Sequence, residues 1–491
     1  MPVNYSSLYE LFEDSARRFP DHKAISLSNG DYSSYHRLLL LSDELFEEFH
    51  QLGMQPGQRV ILAADKSEQT IVHLLAILKS GACVIPVEGN ISQERLKFII
   101  EDTRPTFFIT QHGEYHNSPV LSNSEDVRPL KFYFTYRFPT QETHTEHLAF
   151  LLFTSGSTGN PKGVKLTHAN ILSFLNWAQQ TFKFGSEDVF AGIAPLYFDL
   201  SLLDLFGAFL CCGCATLYSS AQTSNAKLMA GYLAQNRITT LYTTPSTLRL
   251  LQQFGGAAKQ QYPHIKRVLF AGEVFDPKAL HQWMQQLPQA RFYNLYGPTE
   301  SNVCTWHEIE RPVDETRTQP YPIGKACNGM HLRIHESTGE LLIAGPQLTP
   351  GYWNRDALNR EKFSEADGKI WYHSGDRVRL ENGNYVYEGR TDRMLKKRGY
   401  RIEPEQVEHV LLQFESVCEA AVIGGTDTDG YAFLAAFVAL NTPANEMLLA
   451  LKNHCATHLP HYMIPERIIF IPQLPKTGSG KIDYQALKQQ L

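Results

Sequence analysis

The chain has no uninterrupted apolar run that could cross a membrane. Its most apolar stretch, Leu200–Leu217, is broken by Asp204 and two glycines and reads as a buried helix instead. No basic segment followed by an apolar core opens the sequence, so no secretory signal is expected and a cytoplasmic location is. The eight cysteines lack paired spacing, which argues against a disulfide framework. Cys211, Cys212 and Cys214 lie inside the apolar stretch and read as small core residues, with metal binding the alternative. A net charge of −6 over 491 residues gives no argument for binding nucleic acid. Short-period repeats and low-complexity tracts are absent as well. What remains is an ordinary globular composition, 43% apolar and 20% charged, in a chain long enough for two or more domains.

The periodicity is that of an α/β protein. Leu8, Leu11, Phe12, Ser15 and Phe19 recur at helical spacing before Pro20, and residues 36–52 do the same before Gly53, placed to cap the end. Apolar strands and amphipathic helices then alternate: Val60–Ala64, Ser67–Lys79, Cys83–Val87, Ser92–Glu101, Phe107–Thr110. This order predicts a largely parallel sheet flanked by helices. Residues 111–146 are polar and irregular and read as surface chain. The alternation resumes with a helix over 168–182, a strand near Val189–Ala194, and strands at Thr240–Thr243, Val268–Ala271 and Phe292–Leu295. Asp276 and Pro277 form a helix start. A second sheet region begins near Gly339, with Glu340–Gly345 and Gly351–Trp353 read as strands. Arg377–Glu388 reads as a hairpin around Asn382-Gly383. After Asp392 the composition shifts to a small α+β unit: helix Glu405–Phe414, strands Ala420–Ile423 and Ala432–Leu440, helix Asn445–His458, strand Arg467–Ile471.

One stretch organises the chemistry. The apolar run Leu148–Phe153 predicts a buried strand that empties into Thr154-Ser-Gly-Ser-Thr-Gly-Asn-Pro-Lys-Gly163. Glycines let backbone N–H groups close on an anion, hydroxyls add donors, and Lys162 adds a charge, which suits a polyphosphate. The spacing is not that of a Walker A loop, because Pro161 stands where that pattern requires glycine. A flexible surface linker is the bland alternative.

This loop resembles the phosphate loop of the adenylate-forming enzymes, a superfamily that includes acyl- and aryl-CoA synthetases, firefly luciferase and the adenylation domains of nonribosomal peptide synthesis. Further matching motifs extend from about Leu8 to Lys481. The resemblance implies a large N-terminal α/β domain, residues 1–391, with mostly parallel sheets and a smaller distorted-barrel region, and a small mobile α+β domain, residues 392–491, swinging about Asp392. It implies ATP and Mg²⁺ as cofactors. Thr154, Ser155, Gly156, Ser157, Thr158, Gly159 and Lys162 would cradle phosphate.

The remaining motifs each carry a local reading and an implied one. Asn294-Leu-Tyr-Gly-Pro-Thr-Glu300 presents a hydroxyl and a carboxylate at a strand end, which suits phosphate and Mg²⁺. By resemblance Glu300 is the metal ligand, Thr299 an α-phosphate contact and Tyr296 an adenine-stacking ring. Asp376, in Tyr372-His-Ser-Gly-Asp376, is locally a turn residue. By resemblance it accepts both ribose hydroxyls, for which a carboxylate has the two acceptors, and Arg390 is a further ribose or phosphate contact. The run Lys396-Lys-Arg-Gly-Tyr-Arg-Ile-Glu403 would ordinarily be a solvated face. It resembles the segment that forms a wall of the phosphopantetheine tunnel near Gly399 in the second of two domain arrangements. Lys481, in a terminal Gly-Ser-Gly loop, is either a solubility charge or, by resemblance, the catalytic lysine bridging carboxylate, α-phosphate and ribose.

Asp199 is either an N-cap or a buried carboxylate awaiting a cation. In amino-acid-activating members of the superfamily this Asp binds the α-ammonium, which acyl-CoA synthetases have no reason to keep. Carrying the pocket positions over by motif offset selects Asp199, Leu200, Leu203, Tyr242, Leu269, Ala271, Leu295, Val303, Cys304 and Lys481. No strong motif flanks Tyr242. The set resembles that of stand-alone proline-activating enzymes, which implies L-proline as substrate. No room for a carrier domain follows Lys481 in this sequence, so a phosphopantetheinylated carrier protein is expected in trans, with neither nucleic acid nor membrane as partner. A CoA ligase and an inactive scaffold are the rival expectations. Asp199 speaks against the first, intact Glu300, Asp376 and Lys481 against the second.

Overall fold

The computed structural model describes residues 5–27, 29–63, 65–111, 121, 124–126, 133–138, 147–155, 161–427, 430–441, 447–476 and 482–491. Gly156, Ser157, Thr158, Gly159 and Lys481 lie outside the described residues.

Two mixed sheets with parallel interiors form the large body. In the nine-stranded sheet the parallel strands are Arg291–Tyr296, Arg267–Ala271, Thr240–Thr243, Val189–Gly192, Cys214–Leu217 and Lys23–Leu27, and antiparallel strands close both edges. In the seven-stranded sheet Phe107–Thr110, Arg59–Ala63, Cys83–Val87 and Leu148–Thr154 run parallel, with Lys162–Thr167 antiparallel at one edge. The expected parallel α/β order is therefore present, with antiparallel edges added. One hydrophobic core draws Val60, Val84 and Phe107 from the second sheet, Phe190, Leu217 and Tyr293 from the first, and Phe174 and Trp177 from helix His168–Phe182. Strands buried on both faces have near-continuous apolar sequences, as Cys83–Val87 and Leu148–Thr154 do. Caps fix the helices between them: the Ser67 side chain accepts from Thr70 N ahead of helix Glu68–Lys79, and Asp276 accepts from Ala279 N with Pro277 at the first position, each such cap contributing about 1 kcal/mol.

Three expectations fail. The stretch Leu200–Leu217 is no single helix: a π-helical segment, Leu203–Gly207, runs into Ala208–Leu210, and Cys214–Leu217 is a central strand. An apolar run has no periodicity that separates a buried helix from a buried strand. The π segment leaves Asp204 buried, and burial pushes its carboxyl well above the usual range, against the charge of Lys66 and the Ala194 backbone. Within 111–146, expected on the surface, Phe134–Arg137 pairs with Phe107–Thr110, and Tyr133, Thr135 and Tyr136 are buried.

The expected distorted-barrel region is a five-stranded antiparallel sheet of His331–Ile334, Glu340–Ala344, Lys369–Glu381, Phe363–Ala366 and Asn384–Arg390. Its hairpin turns at Asn382 (φ 49°) and Gly383 (φ 74°), as the Asn-Gly pair predicts. Tyr352, expected in a strand, makes only an isolated bridge to Val164. The C-terminal lobe is α+β: strands Val417–Thr426, Ala432–Leu440 and Arg467–Phe470 carry helices Pro404–Leu412 and Met447–His458 over a core of its own. Between lobe and body stands a small hairpin, Leu395–Lys397 with Tyr400–Ile402.

Candidate active site

The parallel strands deliver the pocket. Tyr242 lies opposite Leu269, and Ala271 opposite Leu295, in neighbouring strands. Because side chains two apart share a face of a sheet, these four project into the same core. Leu200, Leu203, Val303 and Cys304 join them there. Asp199, Leu200, Tyr242, Ala271 and Val303 line a cavity of about 80 Å³, together with Thr154, Ser155 and Thr299. Of the nine described positions selected by motif offset, five line this cavity, and Leu203, Leu269, Leu295 and Cys304 lie in the core that also holds Leu200, Tyr242, Ala271 and Val303.

Asp199 and Asp376 are the two carboxylates that line this cavity. Burial pushes the Asp199 carboxyl above the usual range, while the Thr299 hydroxyl and the Leu200 N–H pull the other way. It forms no ion pair with any described residue, and the helical run after it begins at Ser201, whose first backbone N–H groups reach no described Asp199 side-chain acceptor. The N-cap alternative is therefore not realised.

Glu300, next to Thr299 in the chain, has no exposed surface. Burial would raise its pKa. The charges of Arg401 and Lys162 and a hydrogen bond from Tyr352 outweigh that and hold it at about 2. Arg401 Nη1 lies 3.1 Å from Oε1, the Tyr352 hydroxyl 2.5 Å, and Lys162 Nζ 3.6 Å. Burial and the neighbouring Arg401 lower the Lys162 ammonium to about 8, despite Glu300. The Thr154 hydroxyl, at the mouth of the phosphate loop, is buried without a hydrogen-bond partner among the described residues.

The expected nucleotide residues form one chain of bonds. Tyr296 donates its hydroxyl to Asp376 Oδ2 at 2.5 Å, and Arg390 Nη1 donates to Oδ1 at 2.7 Å. Arg390 also grips Asp392 through Nε and Nη2, at 2.5 and 2.6 Å. The basic run is not a solvated face. Lys397 is buried against Glu466, Arg401 reaches Glu300, and Arg401 O accepts from Ser155 Oγ at 2.7 Å, while Arg398 alone of the four cations is exposed. Gly399, at φ 80°, lies where a Cβ would come within 2.5 Å of Thr244 Cγ2, so the turn fits only as glycine.

Arg401 and Tyr352 at Glu300 were not singled out by the sequence. Their motifs lie 101 and 52 positions away from it, and nothing local marks such a pairing.

A parallel α/β body, a separate α+β lobe and an acid–base cluster where they meet define the class, and the chain belongs to the AMP-binding enzyme family. That family's profile matches residues 12–353, and the profile of the AMP-binding enzyme C-terminal domain matches 406–481. Among its relatives, an L-proline--[L-prolyl-carrier protein] ligase of Streptomyces coelicolor is 34% identical, over 89% of this chain and 88% of its own. A ligase of the same name from Pseudomonas fluorescens is 33% identical over 99% of both. The crystal structure of IdnL1 superposes with a TM-score of 0.82 at 26% identity, covering 97% of this chain and 100% of that one. The Vibrio cholerae adenylation domain AlmE, solved with glycyl-adenosine-5'-phosphate, superposes at 0.84 over 99% and 98% with 23% identity, a likeness of fold. No described helix is long and apolar enough to cross a membrane.

Proposed function

We propose that this enzyme activates L-proline as prolyl-AMP and passes it to the phosphopantetheine thiol of a separate carrier protein. The observation that carries the reading is Asp199: a buried carboxylate in no ion pair with a described residue, sharing a cavity with Leu152, Leu200, Tyr242, Ala271 and Val303, beside the phosphate-loop residues Thr154 and Ser155. Such a carboxylate is stable when a ligand supplies the cation. Proline's secondary ammonium has two N–H donors, which Asp199 and one carbonyl satisfy. The ring fills the apolar part of the cavity. The two proline ligases among its relatives support the same substrate.

In the first half-reaction a proline carboxylate oxygen bonds to the α-phosphorus of ATP and the bond to pyrophosphate breaks. Thr154, Ser155, Gly156, Ser157, Thr158, Gly159 and Lys162 hold phosphate oxygens, Thr299 the α-phosphate, Tyr296, Asp376 and Arg390 the nucleoside, and Lys481 offsets the charge that builds as oxygen meets phosphorus. Glu300, buried and ionised beside that cradle, fits Mg²⁺, which takes one or two carboxylates and completes its shell with phosphate oxygens. Bound there, the ion neutralises phosphate charge, and Arg401 would have to withdraw from Glu300. In the second half-reaction the carrier thiol attacks the prolyl carbonyl, loses its proton, and AMP departs with the bonding electrons. Gly399 lines the thiol's approach. Incubation with ATP, radiolabelled L-proline and a phosphopantetheinylated carrier should give label that hydroxylamine releases. Label carried instead by free coenzyme A would favour a CoA ligase.

We further propose that residues 1–391 and 392–491 are the two moving parts, with Asp392 the hinge. Proline fixes φ, so Asp392→Pro should slow transfer roughly tenfold or more, a barrier of about 1.4 kcal/mol, while exchange falls less. Asp392→Ala removes the same bond to Arg390 without fixing φ and serves as control. Equal loss of both half-reactions in the proline variant alone would move the hinge elsewhere.

A further inference from the structure

We infer that Glu273 is a latch: a positioning residue that holds the hairpin of Leu395–Ile402 against the body during thioester formation and plays no part in adenylation. The inference rests on the two-half-reaction reading above. Glu273 follows strand Arg267–Ala271 in a sequence that carries no recognised motif. Its two oxygens face different parts of the molecule. Oε2 accepts from the Ser246 backbone N–H at 3.0 Å and from the Ser246 hydroxyl, and so is anchored at the first turn of helix Pro245–Gln253. Oε1 accepts from the backbone N–H of Gly399 at 2.7 Å, at the tip of the hairpin. One carboxylate thus ties a helix N-terminus, where free N–H groups favour an anion, to the turn that would move with the lobe.

Its surroundings make the fit specific. The absent Cβ of Gly399 lets the turn settle onto Thr244, the N-cap of that same helix, and onto the Phe198 ring, 3.4 Å from the Cβ position. The adjacent Tyr400 packs on Phe198 at 5.2 Å and stacks on Tyr462 at 3.9 Å. Phe198 immediately precedes Asp199, so the hairpin docks on the segment that holds the amino acid. Lys396, on the same hairpin, lies in the field of Glu273. Because Glu273 reads a main-chain N–H, the hairpin side chains can vary without releasing the latch. When the lobe swings away that bond is broken while the bonds to Ser246 persist.

Glu273→Ala should lower carrier loading roughly ten- to hundredfold, the range for a hydrogen bond to a charged group, and leave ATP–pyrophosphate exchange within about twofold. Glu273→Gln, which keeps the shape and loses the charge, should fall between. An energy-transfer pair on Cys418, the one exposed cysteine among the described residues, and on a cysteine replacing exposed Lys227 gives a readout independent of any carrier. Glu273→Ala should shift it away from the value of the parent protein. A parallel fall in both half-reactions, or unchanged loading and an unchanged probe distance, would overturn the latch. A parent protein that loads no carrier at all counts against the proposed function instead, and the probe distance still decides the latch.

Discussion

Asp199→Ala should remove proline-dependent ATP–pyrophosphate exchange almost entirely, by roughly 10²- to 10³-fold. The size follows from the setting. The carboxylate lies in an apolar cavity, pushed up by burial and held by Thr299 and Leu200, with no ion pair to a described residue. An ammonium brought into that cavity loses its water, and without Asp199 it is left uncompensated, at a cost of about 3–5 kcal/mol. Asp199→Asn should recover part of the loss, since an amide oxygen still accepts. Isothermal titration with proline separates lost binding from lost chemistry. A variant that binds and exchanges proline as the parent does would remove Asp199 from the ammonium site.

Lys481→Ala should affect the other half of the site. Lys481 itself lies outside the described residues, but the base of its loop is fixed. Lys476 and Ile482 pair across it, Lys476 Nζ meets Glu419 Oε1 at 2.7 Å, and Ile482 packs with Ala421, Ile423 and Phe433. All of these contacts are internal to the C-terminal lobe, so the lobe carries the lysine. With the hairpin and Arg401 at Glu300, the lobe presents to the body the wall proposed for thioester formation, and adenylation would call for its other face. Exchange in Lys481→Ala should drop about 10²- to 10³-fold, the usual effect of removing one charge-stabilising donor. Chemically supplied prolyl-AMP should still transfer to the carrier at near the parent rate. Undiminished exchange would leave Lys481 an ordinary surface charge.

The comparison of sequence with structure divides along physical lines. The strand order, the helix caps and the Asn-Gly turn rest on local chemistry and were legible. The shared face of Tyr242, Leu269, Ala271 and Leu295 follows from parallel strands in register. The stretch Leu200–Leu217 was not legible, since an unbroken apolar run cannot report a π-helical break or a change to strand at Cys214. Strand Phe134–Arg137 was hidden because its four residues, half-buried, buried, buried and half-buried, show no period-2 alternation. The basic run after Asp392 read as solvated because its partners, Glu300 and Glu466, lie 101 and 69 positions away. Glu273 had no motif at all, and only the approach of Gly399 gives it a role.

The central claim is that the pocket selects proline and that Asp199 receives its ammonium. ATP–pyrophosphate exchange across a panel of acids tests it most directly. Strong exchange is expected with L-proline and weak exchange with close cyclic analogues, because one methylene in an apolar pocket is worth only about 1–3 kcal/mol. Glutamate and lysine should give none. Strong exchange with a fatty or aryl acid, and none with proline, would contradict the account.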